Sequence, residues 1–492
     1  MNLPQSADVV VLGAGPAGLG AAWRAAGRGL EVVVLERADA LGGAAGSFEV
    51  AGMRVDHGSH RLHPATPAHI LTDLRALLGD DLQTRPRSGR LRLGDRWVRF
   101  PLRPAELVRA LPLATVGGIV RDAATGPLRS APADTYADVL RAGLGPTVYD
   151  SLYAPYALKL WGLPPERIDG EQARRRVTAD SPWKVAARIL RGRRGSGQGA
   201  IFYYPRRGFG QICDVLADAG TAAGARIHAG TVVDRVDTTV AGSPVVHTSA
   251  GSLQARHVLS SVPLPVLGRV TAPPAPAEAL DAASRLTFRA MVLVYLVHEP
   301  DMPSGARHGM PARWTPYDAH YLPGPETPVT RISEPANYRD SADDPFDHTV
   351  LCAEIPCAVG DDIWNAPDSD LGELVREGLR RTGLPPVRLA AVTARRMPNV
   401  YPVYQAGFSS ALDAVEGWAA GLADVTTFGR LGLFAHDNTH HALVTAYEAV
   451  DALTWTRTKA GEQGREDRGL LRRDEDAWSA ARQRFRSHVV ED

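Results

Sequence analysis

Apolar positions fall in short runs, and the spacing of each run predicts an element. Val9-Val10-Val11-Leu12 is apolar at every position, the pattern of a strand buried on both faces. Gly13-Ala14-Gly15-Pro16-Ala17-Gly18 follows, then an alanine-rich stretch from Leu19 to Ala26 that predicts a helix ended by Gly27 and Gly29. Val32-Val33-Val34-Leu35 predicts a second strand ending at Glu36. Residues 104–200 read as largely helical, with Tyr136, Tyr149, Tyr153, Tyr156 and Trp161 spread through them and a Gly/Arg/Ser loop from Arg191 to Gly199. Short alternating segments at Arg226-Ile227-His228, Val232-Val233, Val245-Val246-His247 and His257-Val258-Leu259 predict strands. Pro263 to Pro276 reads as a proline-rich connector, Met291 to Val297 as an apolar strand and Leu371 to Arg381 as an amphipathic helix. Gly429 to Leu453 returns to a strand, a turn and a helix, and the charged tail after Lys459 predicts a surface helix.

The glycines carry the first chemistry. Gly13-x-Gly15-x-x-Gly18 lies between a predicted strand and a predicted helix, the context that a dinucleotide fingerprint requires. Gly13 permits the tight turn, Gly15 lets the backbone approach a pyrophosphate, and Gly18 lets helix and strand pack closely. The helix start, with Pro16 and Ala17, offers amide N–H groups to phosphate oxygens. Glu36 lies 18 residues past Gly18, where a carboxylate accepts from adenosine ribose hydroxyls. The turn does not choose between NAD and FAD. The second glycine pair, Gly42-Gly43, comes just after Glu36 and Arg37 and lets another loop reach the same pyrophosphate; this resembles the FAD-binding pattern of amine-oxidase-like and glutathione-reductase-like flavoproteins.

Composition narrows the class. The chain has 492 residues, 44% hydrophobic, 22% charged and with zero net charge, an ordinary globular balance with no basic excess for nucleic acid. Three cysteines (Cys213, Cys352, Cys357) make no disulfide framework and predict a reducing, cytoplasmic setting. No secretory leader is expected, because Val9 to Leu12 runs straight into glycines. The longest uncharged apolar run, Leu111 to Val120, is bounded by Arg109 and Arg121 and falls short of the ~18 residues a membrane span needs; a packed or an interfacial helix both fit it. Lys159, Lys184 and Lys459 are the only lysines, so arginine supplies almost all of the basic charge.

Further blocks extend the resemblance. Gly58, His60 and His63 match a Gly-x-His-x-x-His pattern of the UDP-galactopyranose mutases and their bacterial amine-oxidase-like and protoporphyrinogen-oxidase-like relatives. Lys159-Leu160-Trp161-Gly162 is similar to their Lys-x-Trp-Gly element, and Arg174, Arg175 and Arg176 fall where the mutases place a diphosphate-binding arginine; Arg176 is the favoured one. Pro205-Arg206-Arg207-Gly208, Tyr401-Pro402-Val403-Tyr404 and Gly429-Arg430-Leu431-Gly432 match later blocks in the same order. The resemblance implies an α/β (α+β) fold: a discontinuous Rossmann-like FAD-binding domain (1–103, 205–270 and 395–458), a helical insertion lining the substrate site (104–204), a mixed-sheet substrate domain (271–394) and a C-terminal helix or tail (459–492). It implies FAD contacts from Gly13, Gly15, Pro16, Ala17, Gly18, Glu36, Arg37, Gly42, Gly43, Ser59, His60, Arg61, Val233, Arg430, His440 and His441. Where the mutases have a tyrosine and an aspartate near the sugar, this chain has His436 and Asn438, and Ala44 follows the second glycine pair; both depart from the mutase pattern.

The chemistry expected is that of a flavin oxidoreductase acting on a sugar-bearing or other polar small molecule by hydride transfer to N5. A redox-neutral nucleotide-sugar mutase, an amine oxidase or desaturase, and a non-catalytic flavin-fold scaffold remain open. His60, His63, Trp161, Tyr401 and His436 are the candidate catalytic residues; Tyr156, Lys159, Arg176, Tyr404 and Asn438 are the candidate substrate contacts. The aromatic residues also fit a packed core, and the His436–His441 cluster also fits helix capping by Asp437 or Asn438. Histidines in the glycine loop at 57, 60 and 63 lack neighbouring cysteines and do not make a zinc site. Many amine oxidases use a lysine near N5, yet the expected strand reads Phe288-Arg289-Ala290-Met291-Val292. The partners expected are a small-molecule substrate, a nucleotide sugar or glycoside among them, and a second copy of the chain in a homodimer.

Overall fold

A computed structural model describes residues 3–101, 106, 110–126, 134–176, 201–300, 311–456, 470–486 and 490. The predicted Arg191–Gly199 loop, Lys184 and Lys459 lie outside them. Two sheets organise the rest. In the first, Gly251–Ser260 pairs in parallel with Ser6–Leu12, which pairs with Val32–Leu35 and, through it, Arg226–His228. Val425–Thr427 adds to the other side of Gly251–Ser260, and Val245–Thr248, Val233–Asp237 and Thr271–Ala272 complete eight strands. Alternate residues of the first strand serve opposite faces: Val9 and Val11 join one apolar cluster, Val10 and Leu12 another, as the apolar run predicts.

Helices cover one of those faces. Pro16–Gly27 packs between Gln211–Ala222 and Thr439–Asp451. The approach to the latter is close enough that a Cβ on Gly20 would meet Leu443 Cδ2 at 2.8 Å. Arg24 forms a two-point ion pair with Asp451, 427 positions away, so segments far apart in sequence close one layer.

The second sheet has seven strands, in the order Leu389–Pro402, Phe288–His298, Thr349–Cys357, Arg331–Ser333, Ala319–Tyr321, Gly89–Leu93 and Arg96–Phe100. The last two fall in the 1–103 segment expected with the first domain, but they extend this sheet. The Met291–Val297 run is the middle of Phe288–His298, buried along nearly its whole length, and the 371–381 helix is Asp368–Thr382. The helices Leu113–Thr125, Tyr136–Leu144, Ala154–Trp161 and Gly170–Arg176 fall in the segment expected to be helical.

Three local expectations change. Pro263 to Pro276 contains a helix, Leu264–Val270, because prolines are tolerated in a first turn and Leu264 and Leu267 bury one face. The strand expected after Gly429 instead precedes it, at Val425–Thr427; Gly429–Gly432 is a helical turn. The tail helix, Glu475–Arg486, is not only a surface element: Trp478, Ala481 and Phe485 enter the main core. The three cysteines are free and buried. Among the described residues no helix is long and apolar enough to cross a membrane, and no cluster of metal ligands occurs.

Candidate active site

Two glycine turns face each other at the C-terminal edge of the first sheet. Gly13 takes φ +98°, and a Cβ on Gly18 would lie 1.8 Å from the Gly13 carbonyl oxygen, so neither position accepts a side chain. Gly15 is different. It caps Pro16–Gly27 with no side-chain bond to the helix amides, and its own Cβ position meets only the Gly42 carbonyl, at 3.9 Å. Across the gap, a Cβ on Gly43 would come within 3.4 Å of Gly15 Cα. Glu36 accepts from the N–H groups of Ala14 (2.8 Å) and Ala38 (2.9 Å), which holds its carboxylate at the strand end beside the turn. This cradle of open amides, bare glycines and one carboxylate fits the pyrophosphate and ribose of FAD. Arg37 is exposed beyond it, and Val233 is half-buried at the start of Val233–Asp237.

The segment from Asp56 to His63 is pinned from several sides. His57 Nδ1 donates to the Gly43 carbonyl at 3.1 Å and ties this loop to the second glycine pair. His60 Nε2 donates to the His57 carbonyl at 3.0 Å, and its ring stacks on Phe209 with centroids 5.1 Å apart. The carbonyl can only accept, so His60 keeps a lone pair on Nδ1; burial holds its pKa below the usual imidazole value, and the ring is neutral near pH 7. His63 Nδ1 accepts from Ala65 N–H, and the ring lies 6.4 Å from His440, which in turn lies 4.0 Å from His441. His441 Nδ1 accepts the N–H of Asn438, the N-cap residue of Thr439–Asp451. Ser59 gives its N–H to Glu354 and bonds the Tyr338 hydroxyl. Arg61 donates to Tyr321 (3.1 Å) and Tyr338 (3.3 Å).

A second group forms where the helical segment meets the end of the second sheet. Trp161 lies edge-on to Tyr401 (5.7 Å) and to His436 (5.5 Å), and His436 lies 4.8 Å from Tyr404. The Arg176 guanidinium sits over Tyr401 at 5.3 Å and Trp161 at 5.9 Å; that of Arg430 sits over Tyr401 at 5.1 Å. Arg430 also donates to the carbonyls of Val400 and Asp437. His436 is fully buried, and its Nε2 bonds Gln172 Oε1 at 3.2 Å. Among the described residues, Gln172 Nε2 and Arg430 Nε are buried donors without partners, the kind of orphan a bound ring can satisfy.

The sequence candidates therefore fall into three places. Trp161, Tyr401, Tyr404, His436 and Arg176 come together. His63, His440 and His441 form a separate stack. Tyr156 is half-buried in the helical cluster, and Lys159 is held by the carbonyls of Leu322 and Gly324 (2.5 and 2.9 Å), away from the aromatic group. Burial brings the Lys159 amine down to about 7, partly opposed by Glu326. Sequence reasoning missed Gln172, Glu354 and Arg331, and weighed His57 only as a metal ligand. Glu354 and Arg331 form a buried two-point ion pair (2.8 Å), and Arg331 also donates to the Ser59 carbonyl at 3.4 Å. A lone glutamine or a strand arginine carries no local signal for such contacts.

Comparisons with known proteins give the family and the fold. Residues 16–407 match the family model described as flavin containing amine oxidoreductase. The fold is similar to that of a reduced UDP-galactopyranose mutase, with a TM-score of 0.76 at 21% identity over 91% of this chain and 95% of that one. It is also similar to a structure from Exiguobacterium sp. 255-15 assigned as a protoporphyrinogen oxidase, with a TM-score of 0.67 at 19% identity over 92% and 99%. A phytoene dehydrogenase of Streptomyces griseus is 43% identical over 77 residues, 16% of this chain and only 15% of that protein.

Proposed function

Because the chain belongs to the family of flavin-containing amine oxidoreductases, we propose that it is an FAD-dependent oxidoreductase that oxidises a C–H bond beside oxygen or nitrogen in a polar, sugar-bearing small molecule. Gly15, Gly18, Glu36 and Gly43 hold the dinucleotide. Bound FAD supplies the two-electron acceptor for the hydride that leaves the substrate carbon.

The observation that carries the reading is the aromatic group with its two guanidiniums. Tyr401, half-buried and backed by the buried Trp161, offers apolar surface to a sugar or similar ring, while Arg176 and Arg430 keep cationic, hydrogen-bonding groups at its edge. His436, fixed by Gln172, faces this group and takes the proton released from the substrate heteroatom. His60, neutral and stacked on Phe209, holds the loop that closes over the cofactor. A lysine-assisted amine oxidation is disfavoured, since Phe288–His298 carries Arg289 and no lysine, and Lys159 is committed to two carbonyls.

The test uses FAD-loaded protein under anaerobic conditions with a panel of glycosides, nucleotide sugars, alcohols and amines. Bleaching of the flavin by a polar alcohol or sugar, reversed by air, supports the reading. Turnover only after pre-reduction, with no net oxidation of substrate, would replace it with a sugar-mutase reading, for which the Gly58, His60 and His63 pattern is the supporting feature.

A further inference from the structure

Among the described residues, three guanidiniums near the Ser59–Arg61 loop, on the wall of the second sheet, share two carboxylates. Tyr321, at the end of Ala319–Tyr321, is its centre. Arg61 donates to the Tyr321 hydroxyl, and Arg331 lies 5.8 Å from the Tyr321 ring. Arg87, on the turn before Gly89–Leu93, lies 4.8 Å over the ring of Phe100, which itself packs 4.9 Å from Tyr321. Two carboxylates answer these three guanidiniums. Asp318 pairs with Arg61 at 3.1 Å, and its other oxygen accepts the Ser88 N–H. Glu354 is taken by Arg331 and the Ser59 N–H. Arg87 makes no ion pair among the described residues, and its Nε is buried without a partner. The imbalance is felt by the phenol: burial would raise it, but Arg61, Arg331 and Arg87 together bring it down to about 8.

We propose that this wall is an anion subsite, in which Arg87 and the Tyr321 hydroxyl take an oxyanion carried by the substrate, a carboxylate or a phosphate. A guanidinium fork matches two oxygens of either group. The Tyr321 oxygen already accepts from Arg61, so its hydrogen is directed to a new acceptor. The subsite lies on the sheet, on elements other than the helix that carries Arg174 to Arg176. The inference rests on the oxidoreductase reading only in naming that oxyanion as part of its substrate.

The test is a calorimetric titration of FAD-loaded protein with inorganic phosphate and with acetate, at fixed low ionic strength in chloride. One or both should bind saturably, and Arg87→Gln should weaken that binding by roughly tenfold to a hundredfold with flavin content unchanged. Phosphate alone binding assigns a phosphate; acetate alone assigns a carboxylate. A tyrosinate absorbance step near pH 8, absent in Tyr321→Phe, should move to higher pH when the anion is saturating, because the bound anion opposes ionisation. Failure of both anions to bind, or equal binding in Arg87→Gln, overturns the proposal. The two readings fail separately. Anion binding at Arg87 without oxidation of any polar substrate leaves the subsite standing and removes the oxidoreductase; oxidation of neutral glycosides without anion binding does the reverse.

Discussion

The amide of Gln172 determines which nitrogen of His436 carries a hydrogen. Its Oε1 accepts the backbone N–H of Tyr404 at 3.1 Å, a donor that cannot be reversed, so the atom facing His436 Nε2 is an oxygen. Nε2 must then be protonated. Replacing Gln172 with glutamate keeps the accepting oxygen and adds charge, so the imidazolium should be favoured and His436 should titrate at higher pH. Nitrogen NMR of histidine-labelled protein, assigned with His436→Gln, reads this directly. An unchanged titration in Gln172→Glu would show that the contact does not govern the ring.

Gly15 and Gly18 should separate cofactor binding from folding. Gly18→Ala puts a Cβ 1.8 Å from backbone, so folded protein should not be recovered. Gly15→Ala meets nothing closer than 3.9 Å in the protein itself, so apo stability should move by no more than about 0.5 kcal/mol. The new methyl enters the pyrophosphate gap, however, and flavin affinity should fall. Thermal melts of apoprotein beside flavin fluorescence titrations distinguish the two effects.

Glu36→Ala removes the ribose acceptor and releases the Ala14 and Ala38 amides. Loss of a charged hydrogen bond is worth about 1.5–3 kcal/mol, so the FAD dissociation constant should rise at least tenfold. Equal flavin retention after gel filtration would count against the ribose role.

Trp161 is almost fully buried, and truncation to alanine should cost about 3–5 kcal/mol through lost burial together with the cavity left behind. Trp161→Phe is the sharper variant. It should keep flavin bound while lowering kcat/KM for the substrate that bleaches the wild type. Loss of flavin instead would make the residue purely structural.

Lys159 gives a pH signature. Its folded pKa, about 7, lies below its unfolded one, so the unfolded chain binds more protons between pH 7 and the ordinary lysine range. The burial penalty is therefore full below pH 7 and relieved as pH rises. The stability difference between Lys159→Met and wild type should shift in favour of wild type between pH 6 and pH 9 in urea melts. A flat difference means that Lys159 titrates normally.

Much of the cofactor half was legible because its causes are local. Gly13 and Gly18 are required by a turn six residues long, and Glu36 follows at the end of the next strand. Ser59, His60 and Arg61 sit in a motif whose glycine, Gly58, takes φ +96° against Glu354. The rest is tertiary. Gln172 matters only because the Tyr401–Tyr404 segment and the His436 turn fold back onto it. Arg87 and Tyr321 become neighbours only when Gly89–Leu93 pairs in parallel with Ala319–Tyr321, a register no short window contains. Leu264–Val270 was hidden by its prolines, which read as breakers unless their place in the first turn is known.

The pairing of Arg24 with Asp451 also orders events in time. A ribosome releases the glycine turn more than 400 residues before Thr439–Asp451. Until then, the face of Pro16–Gly27 that will pack on Leu443 and Ala446 stays uncovered, and the strand Val425–Thr427 is missing from its sheet. A chain cut short before residue 439 should therefore emerge with that apolar face uncovered, sticky and short-lived.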